Sequence, residues 1–303
     1  MNKHLESVLQ FTGILLLLIV GIQTGIDYYY NKTVKNKISR LMNGKLDSEV
    51  MLFGSSVCLH HFDPNIIKQN TGLEAYNMGF DGFFFIQYNA LIKQYLTYEK
   101  KCKCLVMTTG IENFSKNDLI TRPDLFYASL SNDYIYNALA LIEPHKIWRC
   151  KYIPGYKLTC LNSQFYQTLM FNHSIEKNNG YRPFDLPYVY DTVLKKRFSA
   201  KFDTSQYIAM NNTVKSIAAK GIKVVIVAPP IYIEGYNKVE NLEQIASSYK
   251  KMAEQQNVYF LDYSADSIGQ DVANFYHYSH MNTKGATLFS QKFSKDMAKI
   301  LNP

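Results

Sequence analysis

Little in this chain would tie it to nucleic acid, to a metal or to a disulfide scaffold. Its 33 Lys and Arg outnumber its 25 Asp and Glu, for a formal charge of +8. The basic residues are spread along the sequence, however, and accompany no nucleic-acid-binding motif, so nucleic acid is not an expected partner. The cysteines number five, an odd count. Cys102 and Cys104 are too close for an ordinary disulfide and lack the second pair of a metal site. Cys150 and Cys160 can pair outside the cytoplasm or remain buried thiols. Internal repeats and low-complexity segments are absent. What is abundant is apolar: 47% hydrophobic and 14% aromatic residues indicate a packed core and exclude disorder. With 303 residues the chain holds one large domain plus an anchor, or two small domains.

Charge is missing altogether from residues 8–26, centred on Ile14-Leu-Leu-Leu-Leu-Ile-Val20. About twenty apolar residues span a bilayer as a helix, and Tyr28-Tyr-Tyr30 follows as an interfacial aromatic belt. No small-x-small cleavage site follows the run, so a retained single-pass anchor is expected rather than a signal peptide. Lys32, Lys35, Lys37, Arg40 and Lys45 come after it, and only Lys3, offset by Glu6, comes before it. Taken literally, the positive-inside rule puts the large domain in the cytoplasm.

Beyond this basic stretch the pattern alternates between strands and helices. Residues 49–53 read as a first strand, 73–78 as a weaker second, 104–109 as a third, 222–228 as a fourth closed by Pro229-Pro230, and 258–262 as the last. Helical periodicity covers 84–98, 205–220, 241–256 and 283–301, where Phe289, Phe293, Met297 and Leu301 fall on one stripe. Short apolar strands separated by amphipathic helices predict an α/β fold with a parallel sheet covered on both faces. The stretch 114–201 breaks the rhythm. It is rich in Tyr and Phe, holds the single tryptophan, Trp148, and reads as an insertion. Such an insertion forms a lid or binding surface, or packs as extra helices on the flank. The expected division is an anchor at 1–28, a basic stalk at 29–48 and the α/β domain at 49–303.

Two segments look built for chemistry. The first strand runs into Gly54-Ser-Ser56, and His277-Tyr-Ser-His280-Met-Asn-Thr-Lys-Gly285 opens the last helix. A serine hydroxyl needs a base within hydrogen-bond reach and donors for an oxyanion. A tight turn after a buried strand exposes either Ser55 or Ser56 at the sheet edge, where a histidine from the last loop can meet it. The His60-His61-x-Asp63 run invites a metal reading. Adjacent histidines on one loop rarely aim at one ion, however, and no second acidic loop accompanies them, so no metal is expected.

These motifs, in the order strand–Gly-Ser-Ser56, Asn77-Met-Gly79, a Gly-containing third turn and Ser-His280-Met-Asn-x-x-Gly285-Ala, resemble the SGNH/GDSL hydrolase superfamily. The likeness is to its membrane-anchored bacterial branch, which includes the polysaccharide O-acetylation proteins and the teichoic-acid D-alanylation transfer protein. It covers roughly 49–286, interrupted by the insertion. The resemblance implies a flavodoxin-like three-layer fold, Ser56 as nucleophile and His280 as base. It also implies the amides of Ser56 and Gly79 as oxyanion donors. Asn113 stands one residue late for the family's asparagine donor. The family's Asp-x-x-His places His277 where the carboxylate belongs, and an imidazole supplies no negative charge. Three readings stay open: a Ser56–His280 dyad; a different acid such as Glu112, Asp81 or Asp271; or an inactive site kept for binding. The resemblance further implies a cell-surface glycan as partner, a membrane-bound O-acyltransferase as acyl donor, no cofactor, and a large domain outside the cytoplasm, against the positive-inside reading.

Overall fold

The computed structural model describes residues 3–34, 36–111, 113–171, 178–189 and 196–301. In chain order the first elements are α1 (Lys3–Thr33), α2 (Lys37–Met42), β1 (Val50–Gly54), α3 (Ser56–His61), α4 (Pro64–Thr71), β2 (Ala75–Gly79), α5 (Phe85–Tyr95) and β3 (Cys104–Thr108). Next come α6 (Asp133–Ala140), α7 (Pro144–Tyr152), α8 (Tyr156–Thr159), α9 (Ser163–Phe171) and α10 (Thr204–Ala218). The chain closes with β4 (Lys223–Ala228), α11 (Ile233–Tyr236), α12 (Leu242–Met252), β5 (Val258–Asp262), β6 (Phe275–His277), β7 (His280–Met281) and α13 (Thr283–Leu301).

Two compact units result, one from Met1–Lys45 with Asp118–Ile175, the other from Leu46–Asn117 with Glu176–Pro303. The second unit is α/β. Its five strands are all parallel, in the order β2-β1-β3-β4-β5. They are nearly continuous apolar runs because both faces are covered. Val50 and Leu52 of β1, Cys104 and Val106 of β3, and Val225 and Val227 of β4 share one core with Phe289, Phe293 and Met297 of α13. Helices α3 and α4 pack with α13 on this face. The alternate residue Phe53 meets Tyr95 of α5, and α5, α10 and α12 form the other layer.

Every expected strand is present within two residues, but α3 and α4 appear where a loop was expected. Asp63 caps α4 by accepting from the Asn65 amide, and Pro64 opens its first turn. Helix α3 packs very closely on the strand ends. A Cβ on Gly79 would stand 2.3 Å from the Leu59 nitrogen, and one on Gly54 2.9 Å from the Cys58 Cβ. Asn77 of β2 then locks α3 down. Its Nδ2 donates to the carbonyls of Cys58 (2.7 Å) and Phe62 (2.9 Å), while its Oδ1 accepts from the Gly79 amide (2.8 Å).

The other unit takes in residues from the expected anchor, stalk and insertion. Helix α1 runs on to Thr33, and α2 follows where a stalk was expected; Lys35 lies outside the described residues. The described residues 118–171 belong to the same unit as this N-terminal segment. Tyr30 stacks on Phe165 with ring centroids 4.8 Å apart, and its hydroxyl donates to the Asp124 carbonyl. Lys157 pairs with Asp27. Tyr28-Tyr-Tyr30 therefore divides: Tyr28 and Tyr29 are exposed, but Tyr30 is a buried anchor. All five cysteines are free thiols, with Cys150 and Cys160 side by side.

Because the atoms facing Gly79 belong to the α3 backbone, Gly79→Ala should destabilise the α/β unit by about 1–3 kcal/mol. Gly110→Ala, with nothing within 4 Å of its added Cβ, should leave stability unchanged. Thermal unfolding of the two variants checks the contrast; equal midpoints would refute it.

Candidate active site

The parallel order β2-β1-β3-β4-β5 reverses direction of winding at β1 and β3, and a crevice forms at the carboxyl ends of strands beside such a switch point. Ser56 stands there as the first residue of α3, directly after β1. The antiparallel ribbon β6–β7 brings His277 and His280 to the same place from the far end of the chain. The Ser56 hydroxyl and His280 Nε2 are 2.8 Å apart.

That contact orders a chain of hydrogen bonds. If the Ser56 hydroxyl donates to Nε2, His280 carries its proton on Nδ1. His280 Nδ1 then donates to Ser279 Oγ at 3.0 Å, and the Ser279 hydroxyl donates to His277 Nδ1 at 3.3 Å. Ser279 thus occupies the place where a carboxylate would hold the base. His277 and His280 are paired across the β6–β7 ribbon, share the Ser279 hydroxyl, and have their rings 5.9 Å apart. Among the described residues no carboxylate contacts His280. Asp81 is taken by His60 and Arg182. Asp271 caps the Val272–Asn274 turn and pairs with Lys284 at 3.3 Å. Glu112 lies outside the described residues.

The paired histidines of α3 have separate tasks. His60 presents Nδ1 to the Arg182 carbonyl at 2.6 Å and Nε2 to the Asp81 carboxylate at 2.8 Å. Both partners are acceptors, so the two contacts are satisfied together only by a ring that donates from both nitrogens. His61 instead accepts the Met281 amide on Nε2 at 2.9 Å, which ties the His280 loop to α3. Burial first, then the neighbouring His280 and His60, hold His61 far below the ordinary histidine range, in keeping with an acceptor role. No group of three or more His, Cys, Asp or Glu arranged for a metal ion occurs among the described residues.

His280 itself is pushed down to about 4, by burial first and then by His60 and His277. It is therefore neutral at pH 7 and free to accept a proton. The same surroundings oppose the imidazolium that forms on accepting one, and no contacting carboxylate offsets them.

The expected oxyanion donors divide. The Gly79 amide donates to Asn77 Oδ1 at 2.8 Å, and its Cα packs against α3. Asn113 lines the same cavity as Ser56. Its Oδ1 accepts from the Tyr88 hydroxyl at 2.6 Å, and its Nδ2 faces Met210 Sδ at 3.6 Å. The Ser56 amide remains. It belongs to the first turn of α3, where no intrahelical carbonyl is available to it. Beside these groups opens a cavity of about 370 Å³, at the low end of small-molecule sites. Phe83, Phe84, Ile111, Phe198, Ile245 and Phe260 give it a mainly apolar wall.

Sequence reasoning missed Ser279, the Asp81–His60–Arg182 group and the His61 tether. Only Ser279 carried a usable signal, lying between two histidines already singled out.

Two outcomes follow for any reaction that uses His280 as base. The acid limb of kcat/KM should fall near pH 4 rather than near 6.5, because protonation of His280 removes the acceptor and burial delays that protonation. Ser279→Ala should lower kcat by about 5- to 30-fold, the worth of one orienting hydrogen bond left unmade, with little change in KM. A limb at 6.5, or a Ser279→Ala variant of full activity, would contradict this assignment.

Comparison of the sequence with models of known protein families and with curated proteins finds no match.

Proposed function

We propose that this protein is a membrane-anchored serine acyltransferase or esterase of the SGNH type, acting on a cell-surface polysaccharide through an acyl-enzyme on Ser56. The observation that carries the reading is the 2.8 Å contact between Ser56 and His280 at the mouth of an apolar cavity. The resemblance of Gly-Ser-Ser56 and Ser-His280-Met-Asn to the superfamily supports it. So does the strand order 2-1-3-4-5, which is the flavodoxin-like order.

In the reaction, His280 Nε2 takes the Ser56 proton while the oxygen attacks the acyl carbonyl. The Ser56 amide at the start of α3 faces the oxyanion, and His280 returns its proton to the leaving group. A sugar hydroxyl or water then accepts the acyl group by the reverse sequence, which separates transferase from esterase. A membrane-bound O-acyltransferase as acyl donor follows from the resemblance.

A second reading has one observation in its favour. His280 contacts a serine and no carboxylate among the described residues, so the site suits a non-catalytic glycan-binding or assembly scaffold as well.

Helix α1 is long and apolar enough to cross a membrane. A glycan substrate places the α/β unit outside the cytoplasm. A C-terminal reporter active only in the cytoplasm should therefore stay silent; activity there would remove the glycan reading.

Labelling by a serine-reactive phosphonate separates enzyme from scaffold. Wild-type protein should be labelled, and Ser56→Ala should not. His277→Asp should raise the labelling rate by about tenfold, because a carboxylate at the end of the chain stabilises the imidazolium. An unlabelled wild type would favour the scaffold, and labelling that survives Ser56→Ala would move the nucleophile elsewhere.

A further inference from the structure

Helix α1 does not stand apart from the rest of its unit. The turn between α7 and α8 is fastened to the apolar part of the helix itself. The Gly155 amide donates to Gln23 Oε1 at 3.1 Å, and a Cβ at Gly155 would stand 2.8 Å from Ile19 Cγ2. One helical turn further on, Lys157 pairs with Asp27. Residues 8–26 carry no charge. At ~1.5 Å per residue they span about 28 Å, close to the ~30 Å hydrocarbon core of a bilayer. Ile19 lies about 10 Å inside the Ile26 end of that run. A turn that touches Ile19 and Gln23 cannot stay in bulk water while α1 crosses a bilayer.

The turn has the chemistry for that place. Trp148, Tyr152 and Ile153 are large apolar side chains left 51%, 55% and 39% exposed. Trp148 and Tyr152 are one turn apart on α7, with rings 5.7 Å apart. Arg149 lies over the Tyr156 ring and Lys151 over the Tyr136 ring, a mixture of aromatic and cationic groups suited to a headgroup layer. The backbone donors are also accounted for. Ile153 donates to the Arg149 carbonyl, Pro154 has no N–H, Gly155 donates to Gln23, and Tyr156 donates to the Ile153 carbonyl. A chain segment entering a low-dielectric layer needs this satisfaction, whereas an ordinary surface turn does not.

We propose that the α7–α8 turn is a second membrane contact. Trp148, Tyr152 and Ile153 enter the headgroup–acyl boundary of the leaflet from which the Ile26 end of α1 emerges, and Arg149 meets lipid phosphate. The occupant of this face is the lipid bilayer, not another protein. The contact holds the unit built on α1 at a fixed height and rotation on the membrane, which a single spanning helix alone does not do. The proposal rests on α1 crossing the bilayer and is independent of the chemistry at Ser56.

Trp148 is the single tryptophan of the chain, so its fluorescence reads this surface directly. The full chain would be reconstituted in nanodiscs of ordinary phosphatidylcholine–phosphatidylglycerol and in discs whose acyl chains carry bromine just below the carbonyl. The expected result is emission shifted to the blue, most of it lost in the brominated discs, and weak quenching by aqueous acrylamide. Ile153→Asp should reverse all three in discs that hold the chain. Retention in the discs with acrylamide quenching and no bromine quenching would overturn the proposal, leaving α1 as an anchor and the face open to a protein partner. A chain not retained by the discs would remove the crossing of α1, and the proposal with it.

Discussion

Helix α3 lies closer to the sheet than any side chain at Gly54 or Gly79 would permit, and the candidate site depends on that approach. Two glycines at the paired ends of β1 and β2 remove the atoms that would hold the helix away. Asn77 then replaces the lost side-chain packing with directed bonds to the far end of α3. The result is a short helix whose first residue, Ser56, is aimed at the crevice and whose last two residues, His60 and His61, organise its walls. His61 holds the His280 loop through the Met281 amide, so Ser56 and His280 are registered through one helix. The Asn77 side chain and the Gly79 amide are thus part of the fastening of α3.

Charge decides how the site is poised. His60 stands between Asp81 and a carbonyl, and its ring lies 6.2 Å from that of His280. This neighbour and burial keep His280 unprotonated, which suits a base at rest. A histidine so reluctant to be charged is also a weak base. The Ser279–His277 extension fixes its tautomer and orientation, but brings no negative charge to the imidazolium. The geometry therefore supports acyl chemistry while withholding the group that would make it fast. Substrate or acceptor binding must supply the missing stabilisation if the site turns over, and a glycan-binding scaffold has no need of it.

Much of the sheet was legible because its strands are buried on both faces. Runs such as Val224-Val-Ile-Val227 have no other comfortable conformation, and Phe289, Phe293 and Met297 mark their cover at helical spacing. The short helices after β1 were less legible. Six residues of α3 show no full period, although Asp63-Pro64 announced α4 by cap and first-turn chemistry. The 114–201 excursion was seen as a break in rhythm, but nothing in its composition tells that 118–171 belongs to the same unit as the N-terminal helix. That pairing is set by single contacts distant in sequence, Tyr30 on Phe165 and Lys157 with Asp27.

By itself, then, the sequence determined the local terms: an uncharged apolar helix, five parallel strands, a serine after the first strand and a histidine before the last helix. Each follows from periodicity, propensity or a motif contained in a few consecutive residues. The tertiary structure alone decided the terms that join distant residues. It brought His280 to Ser56, tied the Met281 amide to His61 and set His60 against Asp81. These outcomes are contacts of 2.8 to 2.9 Å between elements far apart in the chain, and no pattern along one strand or helix encodes them.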